Sequence, residues 1–353
     1  MTALHELALL RLVAQRIAGP GFATATDAVR WMTAVQAQDH NGVLTSVALR
    51  TASRSREGAE HALDAGEVVK SWPMRGTLHL VVAEDLPWML DLLAPRVVAG
   101  AAARRAHLDL DIADLEHARD VAVEALLGGG RLMREELLAV WDQAGLTTAG
   151  QRGYHMLWHL AQTGTLCFGP LRNGLQQIVL VDEWILRPRR FERQEALGEL
   201  ALRYFRSHGP ATVKDLMRWA HLVAADARAG LALARPHLFS VDVDGVEHFM
   251  DPDTPALLEC CRHEARGVVL LPGFDEFVLG YQDRRCALSP ELADRIVPGG
   301  NGVFKATVVC DGQIVGTWKH AGRGAKRTME ATPFTSFPDD VAKEIAQAYA
   351  VLP

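Results

Sequence analysis

Three times along this chain, helical segments are followed by two β-rich segments that a short turn joins. The first β-rich pair falls within residues 71–82, the second flanks the turn at 172–174, and the third flanks Asp244-Gly245. Asn-Gly and Asp-Gly turns between alternating segments are strong signals for a β-hairpin. Helices that precede a hairpin are typical of the winged helix, a helix-turn-helix with an added hairpin. The sequence therefore predicts an α+β fold with winged-helix units in tandem.

Apolar periodicity and capping residues locate the elements of each unit. The predicted helices are 4–17, 27–35 with Thr26 as its cap, 43–49, 57–65, 112–127, 133–144, 149–162, 195–207, a helix capped by Thr212 with Asp215 at its third position, and 224–234. The predicted strands of the second and third hairpins are 165–169, 176–181, 239–243 and 246–250. Each hairpin thus follows the helices of its own unit.

The chain changes character near residue 254, where β-rich segments replace helical ones. Strands are predicted at 267–271, 274–281, 303–310 and 314–320, and a closing helix at 336–350. A length of 353 residues suits several domains. The predicted organisation is a first winged-helix unit at 1–108, a second at 109–188, a third at 189–253, and a C-terminal β-rich region with the closing helix at 254–353.

The net charge of −6 does not indicate nucleic-acid binding through bulk charge. A protein that binds a groove needs local positive potential, which the total charge does not report. Arginine and lysine cluster at 104–105, 187–193, 284–285 and 319–327. Each cluster is either a binding patch or an ordinary solvated face, and the sequence leaves both interpretations open.

Cysteine usage excludes several classes of site. The five cysteines form an odd number and contain no C-x-x-C pair, which argues against a zinc ribbon, an iron–sulfur site or a disulfide framework. Residues 1–15 have neither a secretory apolar core nor a spanning segment. We therefore expect a cytoplasmic protein that needs no metal and no other cofactor.

Gln36 and Gln38 flank Ala37 directly after a short apolar helical turn. Residues two apart share one side of an extended strand but diverge on a helix. If the two glutamines act together, the chain must leave the helix near Gln36. The alternative is a helix end with two solvated amides, since exposure is the common fate of glutamine.

The second unit contains a candidate recognition helix. Gln151, Arg152, His155 and His159 are chemically suited to phosphate or base contacts in a winged helix. The alternative is a surface helix whose apolar residues pack inward. The third unit looks more structural than DNA-reading.

Six motifs carry a resemblance to a known family. They are Arg11-Leu with Gln15-Arg16, Val35-Gln-Ala-Gln38, Met74-Arg-Gly-Thr-Leu-His79, Thr212-Val-Lys-Asp215 with Arg218-Trp219, Leu271–Gly280 with Asp283-Arg284-Arg285, and Gly302–Trp318. Any one of them is weak, but together and in this order the chain resembles the bacterial winged-helix DNA glycosylases of the AlkZ and YcaQ type. The resemblance covers nearly the whole chain.

The resemblance implies tandem winged helices in a concave, DNA-holding arrangement and a C-terminal β region. It also implies excision of N7-alkylated purines from double-stranded DNA, including bulky adducts and, in some members, interstrand crosslinks. We expect the protein to be a monomer. AlkZ-like members carry Gln-apolar-Gln, and YcaQ-like members carry Gln-apolar-Asp. This chain has the first form, so the resemblance implies Gln36 and Gln38 as catalytic residues and a role in self-resistance to DNA-alkylating natural products.

DNA contacts are expected from basic residues of the wings, the recognition helix and the C-terminal region. The expected set is Arg75, His79, Arg152, Arg284, Arg285, Lys319, Arg323, Lys326 and Arg327. Arg75 has a competing interpretation as the partner of an internal acid. We interpret Asp275 and Glu276 as structural, because one adjacent acidic pair has no metal-ligand geometry.

Glutamine cannot act as a general base, so this pair restricts the substrate. An N7-alkylated guanine carries a positive charge and leaves as a neutral base, which removes much of the barrier. The enzyme then needs to place a water and stabilise a cationic sugar, which amide oxygens can do. Which glutamine holds the water stays open. The alternative functions are a non-catalytic winged-helix binder, either a regulator or a drug-sequestering protein, and an enzyme that acts on free nucleosides.

Overall fold

The computed structural model describes residues 3–322 and 328–353. Contacts between residues divide the chain into two compact units. One, the split unit, is Met1–Ala59 together with Leu197–Pro353; the other, the inserted unit, is Glu60–Ala196. The predicted division at residues 108, 188 and 253 concerns supersecondary repeats and stays a prediction.

The helices alternate with hairpins along most of the chain. They are α1 (Ala3–Ala14), α2 (Ala25–Met32), α3 (His40–Leu49), α4 (Arg56–Asp64), α5 (Leu86–Gly100), α6 (Ala102–His107), α7 (Ile112–Leu126), α8 (Arg134–Gln143), α9 (Arg152–Gln162), α10 (Val181–Trp184), α11 (Arg193–His208), α12 (Val213–Ala220), α13 (Ala224–Ala234), α14 (Thr254–Arg266), α15 (Glu276–Leu279), α16 (Ala293–Ile296) and α17 (Asp339–Ala350).

The strands follow the predicted hairpins closely. They are β1 (Val35–Gln36), β2 (Val68–Met74), β3 (Thr77–Val82), β4 (Leu166–Arg172), β5 (Leu175–Leu180), β6 (Phe239–Val243), β7 (Val246–Met250), β8 (Val268–Leu271), β9 (Thr307–Cys310), β10 (Gln313–Ala321) and β11 (Thr328–Pro333). Helices together with antiparallel sheets confirm the predicted α+β class. The winged-helix assignment of the three units stays a prediction.

In the inserted unit, strands β3, β2, β4 and β5 are neighbours in that order, and each pair is antiparallel. The β4–β5 turn places Asn173 and Gly174 at positive φ, which these two residue types tolerate best. The core beneath combines fully buried side chains such as Trp141, Met156 and Ile178. The two hairpins predicted for this part of the chain are therefore confirmed.

In the split unit, β6 pairs with β7 across the Asp244-Gly245 turn, with Val243 opposite Val246. A second antiparallel sheet has the order β11-β10-β9-β8. Helix α17 packs against β8, and Leu270, Val308, Trp318 and Ile345 form the small core between them. The larger core of this unit gathers around α1 and α14.

Helix caps test the sequence reading directly. The predicted capping box at the start of α12 is confirmed: the Thr212 hydroxyl accepts from the Asp215 N–H, and the Asp215 carboxylate accepts from the Thr212 N–H. The predicted cap Thr26 is wrong. Helix α2 begins two residues earlier, at Ala25, and the Thr24 hydroxyl accepts from the Asp27 N–H.

Several elements differ from the predictions, among them three of consequence. Helices α5 and α14 occupy stretches where no helix was predicted, and α14 places a helix of 13 residues at the start of the region expected to be β-rich. The strand predicted at 274–281 is wrong, because Glu276–Leu279 forms a helical turn whose cap is Asp275. Within residues 3–322 and 328–353, the structure contains no helix with the length and apolar character that crossing a membrane requires.

Candidate active site

The two candidate glutamines lie in an extended segment between α2 and α3. Helix α2 ends at Met32, where the prediction extended it to Val35, and Thr33 turns the chain with φ of 68°. Residues 35–36 are extended, and α3 begins at His40. The chain thus leaves the helix before Gln36, as joint action of the two glutamines requires.

The side chains of Gln36 and Gln38 meet. The Gln36 Nε2 amide donates to Gln38 Oε1 at 2.5 Å. Gln36 is buried, with 7% of its surface exposed, whereas Gln38 is exposed. The pair therefore presents one buried amide that orients a second, solvent-facing amide, which makes two solvated amides at a helix end the wrong description of this segment.

A buried carboxylate lies behind the segment. Glu276 Oε1 accepts the backbone N–H of Gln36 at 3.2 Å, and Oε2 accepts the Trp219 Nε1–H at 3.0 Å. His208 Nε2 lies 3.4 Å from the same Oε2. Burial lowers the pKa of His208, although Glu276 opposes that shift, so the imidazole favours its neutral form. Glu276 thus connects a buried cluster of side chains directly to the backbone of Gln36.

The adjacent carboxylate, Asp275, forms a buried ion pair. Arg50 Nη1 and Nη2 donate to the two Asp275 oxygens at 2.9 and 3.0 Å, and neither side chain is exposed. Ser46 Oγ donates to Asp275 at 2.6 Å, and Arg50 also donates to Gln15 Oε1 at 2.7 Å. These contacts agree with the structural interpretation of Asp275.

The buried network continues from Gln15. Its Nε2 donates to the Tyr281 hydroxyl at 2.9 Å, and that hydroxyl donates to the His208 carbonyl at 2.7 Å. The Arg11 guanidinium stacks 3.6 Å from the centre of the Tyr281 ring and donates to the Pro210 carbonyl. Burial raises the pKa of Tyr281, so its phenol stays protonated and keeps donating. Residues from several sequence motifs thus converge within the split unit.

A cavity of about 440 Å³ borders the residues that directly follow the pair. Its wall includes Asp39, Asn41 and Arg56 on one side and Trp318, His320 and Tyr349 on another. The His320 and Tyr349 rings have centroids 5.8 Å apart, and Arg56 donates to the Asn41 amide oxygen at 2.7 Å. The cavity therefore offers aromatic and polar surface next to Gln38.

Glycine shapes the chain beside this cavity. A Cβ atom at Gly42 would lie only 2.6 Å from the Asp39 carboxylate, so a larger residue would displace that side chain.

Across the described ranges 3–322 and 328–353, histidines, cysteines and acidic residues form no group of three or more with metal-binding geometry.

Arg75 and His79, two of the expected DNA contacts, face each other on the β2–β3 hairpin. Arg75 Nη2 lies 3.1 Å from His79 Nε2. Because a guanidinium only donates, His79 Nε2 accepts, and its Nδ1–H donates to the Thr77 carbonyl at 2.8 Å. His79 is buried and Arg75 is half-buried, so the histidine orients the arginine, and Arg75 is the member of the pair that reaches solvent.

The expected contacts of the second unit have internal partners. Arg152 donates to the carbonyls of Thr147, Leu108 and Asp109 and lies 3.5 Å from the Asp114 carboxylate. His155, on the same helix, is buried and stacks on Trp158 with centroids 5.0 Å apart. These contacts argue for a structural role, and a phosphate contact by Arg152 stays a prediction.

The expected DNA contacts of the C-terminal region differ in how strongly internal partners hold their side chains. Arg284 donates to the Val278 carbonyl at 2.6 Å, and burial lowers its pKa to about 10. Arg285 pairs with Asp283 at 2.6 Å, and Lys319 lies 3.1 Å from Glu330, both exposed. Arg323, Lys326 and Arg327 lie outside the residues that the structure describes. Arg285 and Lys319 can exchange their surface partners for phosphate at low cost.

Sequence reasoning missed the importance of Glu276, Arg50 and His208. Glu276 stood inside a recognised motif, but a sequence does not show that its carboxylate reaches a backbone N–H some 240 positions away. Arg50 and His208 belonged to no motif. The available signal was weak: Arg50 follows an apolar helix, where a charged residue normally ends the buried face.

Comparison with known proteins gives a consistent result. The family model described as "DNA glycosylase AlkZ-like" matches residues 29–352. An interstrand DNA cross-link repair glycosylase of Streptomyces sahachiroi is 28% identical over 317 residues, which cover 84% of this chain and 82% of that protein. The solved structure of the Streptomyces sahachiroi DNA glycosylase AlkZ matches with a TM-score of 0.80 at 24% identity, over 100% of this chain and 96% of that chain. That likeness shows a shared fold.

Proposed function

The chain belongs to the AlkZ-like DNA glycosylase family, and from this premise we propose that it hydrolyses the N-glycosidic bond of N7-alkylated purines in duplex DNA. The observation that carries the proposal is the Gln36–Gln38 pair, two hydrogen-bonded amides in an extended segment with one member exposed. The pair supplies polar positioning without a base. A substrate whose leaving group is already cationic is the one that such a pair can serve.

The chemistry divides between substrate and enzyme. Alkylation at N7 makes the purine a leaving group that departs neutral, so no acid has to protonate it. As the bond to the anomeric carbon breaks, positive charge develops on the sugar. Amide oxygens aimed at that charge, together with a positioned water, lower the remaining barrier.

We assign the two glutamines different roles. Gln38 is exposed and holds the nucleophilic water through its Oε1, whereas Gln36 is buried and orients Gln38 by donating to that oxygen. The donated hydrogen bond leaves Gln38 Oε1 a second lone pair to accept from the water. Water adds to the anomeric carbon as the bond from that carbon to purine N9 breaks, the electrons of that bond neutralise the departing purine, and the added water loses one proton to solvent. This hydrolysis leaves an abasic site, as in a monofunctional glycosylase, and it requires no cofactor.

We propose bulky N7 adducts as a further class of substrates. A bulky or crosslinked base cannot flip fully into a tight pocket, so a cavity beside the catalytic pair has to accommodate the substituent. The cavity at Asp39 is of that kind, because aromatic rings at His320 and Tyr349 line it and it borders the residue after Gln38. Excision of such adducts would serve repair and self-resistance to an alkylating natural product. The Streptomyces sahachiroi relative is described as a cross-link repair glycosylase, which supports this choice.

The experiment uses two matched substrates under single-turnover conditions. One duplex carries N7-methylguanine and the other carries 7-methyl-7-deazaguanine, which keeps the methyl group but has no positive charge. We expect abasic-site formation from the first duplex and none from the second. A third duplex with a bulky aromatic N7 adduct should also be cut.

Two results would count against the proposal. Absence of excision from both cationic duplexes, together with tight binding, would favour a non-catalytic DNA-binding protein. Equal excision of the neutral duplex would show that the enzyme activates the leaving group, which the glutamine pair does not explain. Affinity that depends strongly on salt separates a DNA enzyme from one that acts on free nucleosides.

A further inference from the structure

The hydrogen bond between Glu276 and the Gln36 backbone joins a fully buried carboxylate to an extended segment of two residues. Burying a carboxylate is costly unless several donors compensate. The Gln36 N–H and the Trp219 indole N–H both donate to Glu276, and His208 Nε2 lies 3.4 Å away. The two donors therefore fix the position of the Glu276 side chain and, with it, the backbone of the extended segment.

Glu276 is itself fixed from both ends of its helical turn. At the start, Asp275 accepts the Phe277 N–H at 2.9 Å while Arg50 holds the Asp275 carboxylate. At the end, the Tyr204 hydroxyl donates to the Gly280 carbonyl at 2.7 Å. A group clamped in this way transmits a fixed position to whatever it binds.

We propose that Glu276 is a positioning residue for the excision reaction. It acts through the Gln36 peptide: by fixing that N–H, it sets where the Gln36 amide lies and, through the 2.5 Å contact, where Gln38 presents its Oε1. The inference rests on the proposed function of the glutamine pair and adds a residue that never touches the substrate. For this positioning role, the length of the Glu276 side chain, which lets its oxygen reach the Gln36 N–H, matters more than its charge.

Two substitutions of Glu276 test the effects of side-chain length and of side-chain charge separately. Glu276→Asp keeps the carboxylate but shortens the side chain by one methylene, so it withdraws from the Gln36 N–H. Glu276→Gln keeps the length and an acceptor oxygen but loses the charge. We expect Glu276→Asp to lower the single-turnover excision rate on N7-methylguanine DNA about a hundredfold, the scale of a misplacement near 1 Å, with unchanged DNA affinity. Glu276→Gln should stay within about tenfold of wild type.

Thr51→Val is the matched control, because it removes one buried hydrogen bond of the split unit, from Thr51 Oγ1 to the Ala48 carbonyl at 2.8 Å, that takes no part in holding Glu276 or Gln36. It should lower the urea midpoint while leaving the excision rate unchanged. Hydrogen exchange of residues 33–38 provides a readout that needs no activity. The Gln36 amide should be protected in wild type and exchange faster in Glu276→Asp.

The outcomes are distinguishable. If wild type excises and Glu276→Asp is as fast as Thr51→Val, the positioning role is wrong. Slower excision by Glu276→Gln than by Glu276→Asp would replace positioning with a pure charge effect and also overturn the inference. If wild type excises nothing, the proposed function fails, and the exchange measurement still decides whether Glu276 holds the segment. Should Glu276→Asp not fold, unprotected Gln36 in wild type would contradict the inference.

Discussion

Both units carry exposed ion pairs, but among the described residues the split unit also contains pairs whose two members are both buried. In the split unit, Arg50 and Asp275 form an ion pair that is entirely buried, next to the carboxylate that binds the glutamine segment. In the inserted unit, ion pairs such as Arg172–Glu136 and Arg119–Asp120 are exposed. Buried pairs tolerate little rearrangement, whereas exposed pairs exchange partners readily. The difference indicates that the Arg50–Asp275 site has a fixed geometry, whereas the exposed pairs Arg172–Glu136 and Arg119–Asp120 can exchange partners.

Two buried histidines, His208 in the split unit and His155 in the inserted unit, differ in the groups that surround their ring nitrogens. His208 in the split unit has Ser207 at 2.8 Å and Glu276 at 3.4 Å, so both ring nitrogens have neighbours. His155 in the inserted unit is buried, and its Nε2 has no hydrogen-bond partner within the described part of the chain. A proton added to His208 would lie beside a carboxylate, whereas a proton added to His155 Nε2 would have no acceptor and would lie near the positive charge of Arg105.

The largest effect on stability is expected from Arg50→Ala. The variant leaves the Asp275 carboxylate buried without its cation, and breaking a buried pair in this way costs about 3–5 kcal/mol. Urea unfolding should measure the lost free energy of unfolding. Hydrogen exchange of α3 and α15 should show that the loss lies in the split unit.

Arg172→Ala is the matched control in the inserted unit, because its pair with Glu136 is exposed and should contribute at most about 1 kcal/mol. The double variant Arg50→Met with Asp275→Leu should recover much of the lost stability, since it leaves no orphaned charge. Equal losses for Arg50→Ala and Arg172→Ala would remove the contrast between the units.

A smaller effect is expected from pH. Burial lowers the pKa of His155 to about 4, with further lowering by His159 and Arg105. Between the unfolded value of about 6.5 and the folded value, the unfolded chain binds a proton that the folded chain does not. The contribution of His155 to stability is therefore complete above about pH 6.5 and is lost as the pH falls toward 4.

Peptide-resolved hydrogen exchange at about pH 7 and about pH 5, corrected for the intrinsic rates, can measure that loss. Protection of the peptides around His155 should fall between these two pH values, and His155→Gln should reduce that fall. An equal fall in wild type and in His155→Gln would contradict the predicted cost of protonating His155.

Local signals predicted most of the fold. The turns Asn173-Gly174 and Asp244-Gly245 marked two hairpins, because Asn, Asp and Gly tolerate the positive φ that these turns require, and Thr212 with Asp215 marked the start of α12 through a reciprocal cap. The failures lay where local pattern competes with tertiary contacts. Residues 274–281 alternate like a strand, yet the Asp275 cap and its Arg50 partner turn them into a helical turn.

The sequence predicted the two glutamines of the candidate site but not the buried residues behind them. Gln36 and Gln38 stood out because their spacing puts both on one side of an extended chain, and the structure brings their amides into contact. The support behind them was not predictable, since Glu276, Trp219 and His208 are far apart in sequence and only the fold brings them together. Local reasoning also gave Arg152 a surface role, whereas its guanidinium is held by backbone carbonyls.

The most direct test compares Gln38→Ala with Arg75→Ala in single-turnover excision of N7-methylguanine at saturating enzyme. The account predicts that Gln38→Ala remains about a hundredfold slower than wild type even at saturation, because it removes a group that acts on the reacting atoms. Arg75→Ala should need more enzyme to saturate, with a salt dependence reduced by about one phosphate contact, and should then regain nearly the wild-type rate. Excision by Gln38→Ala at the wild-type rate would contradict the account.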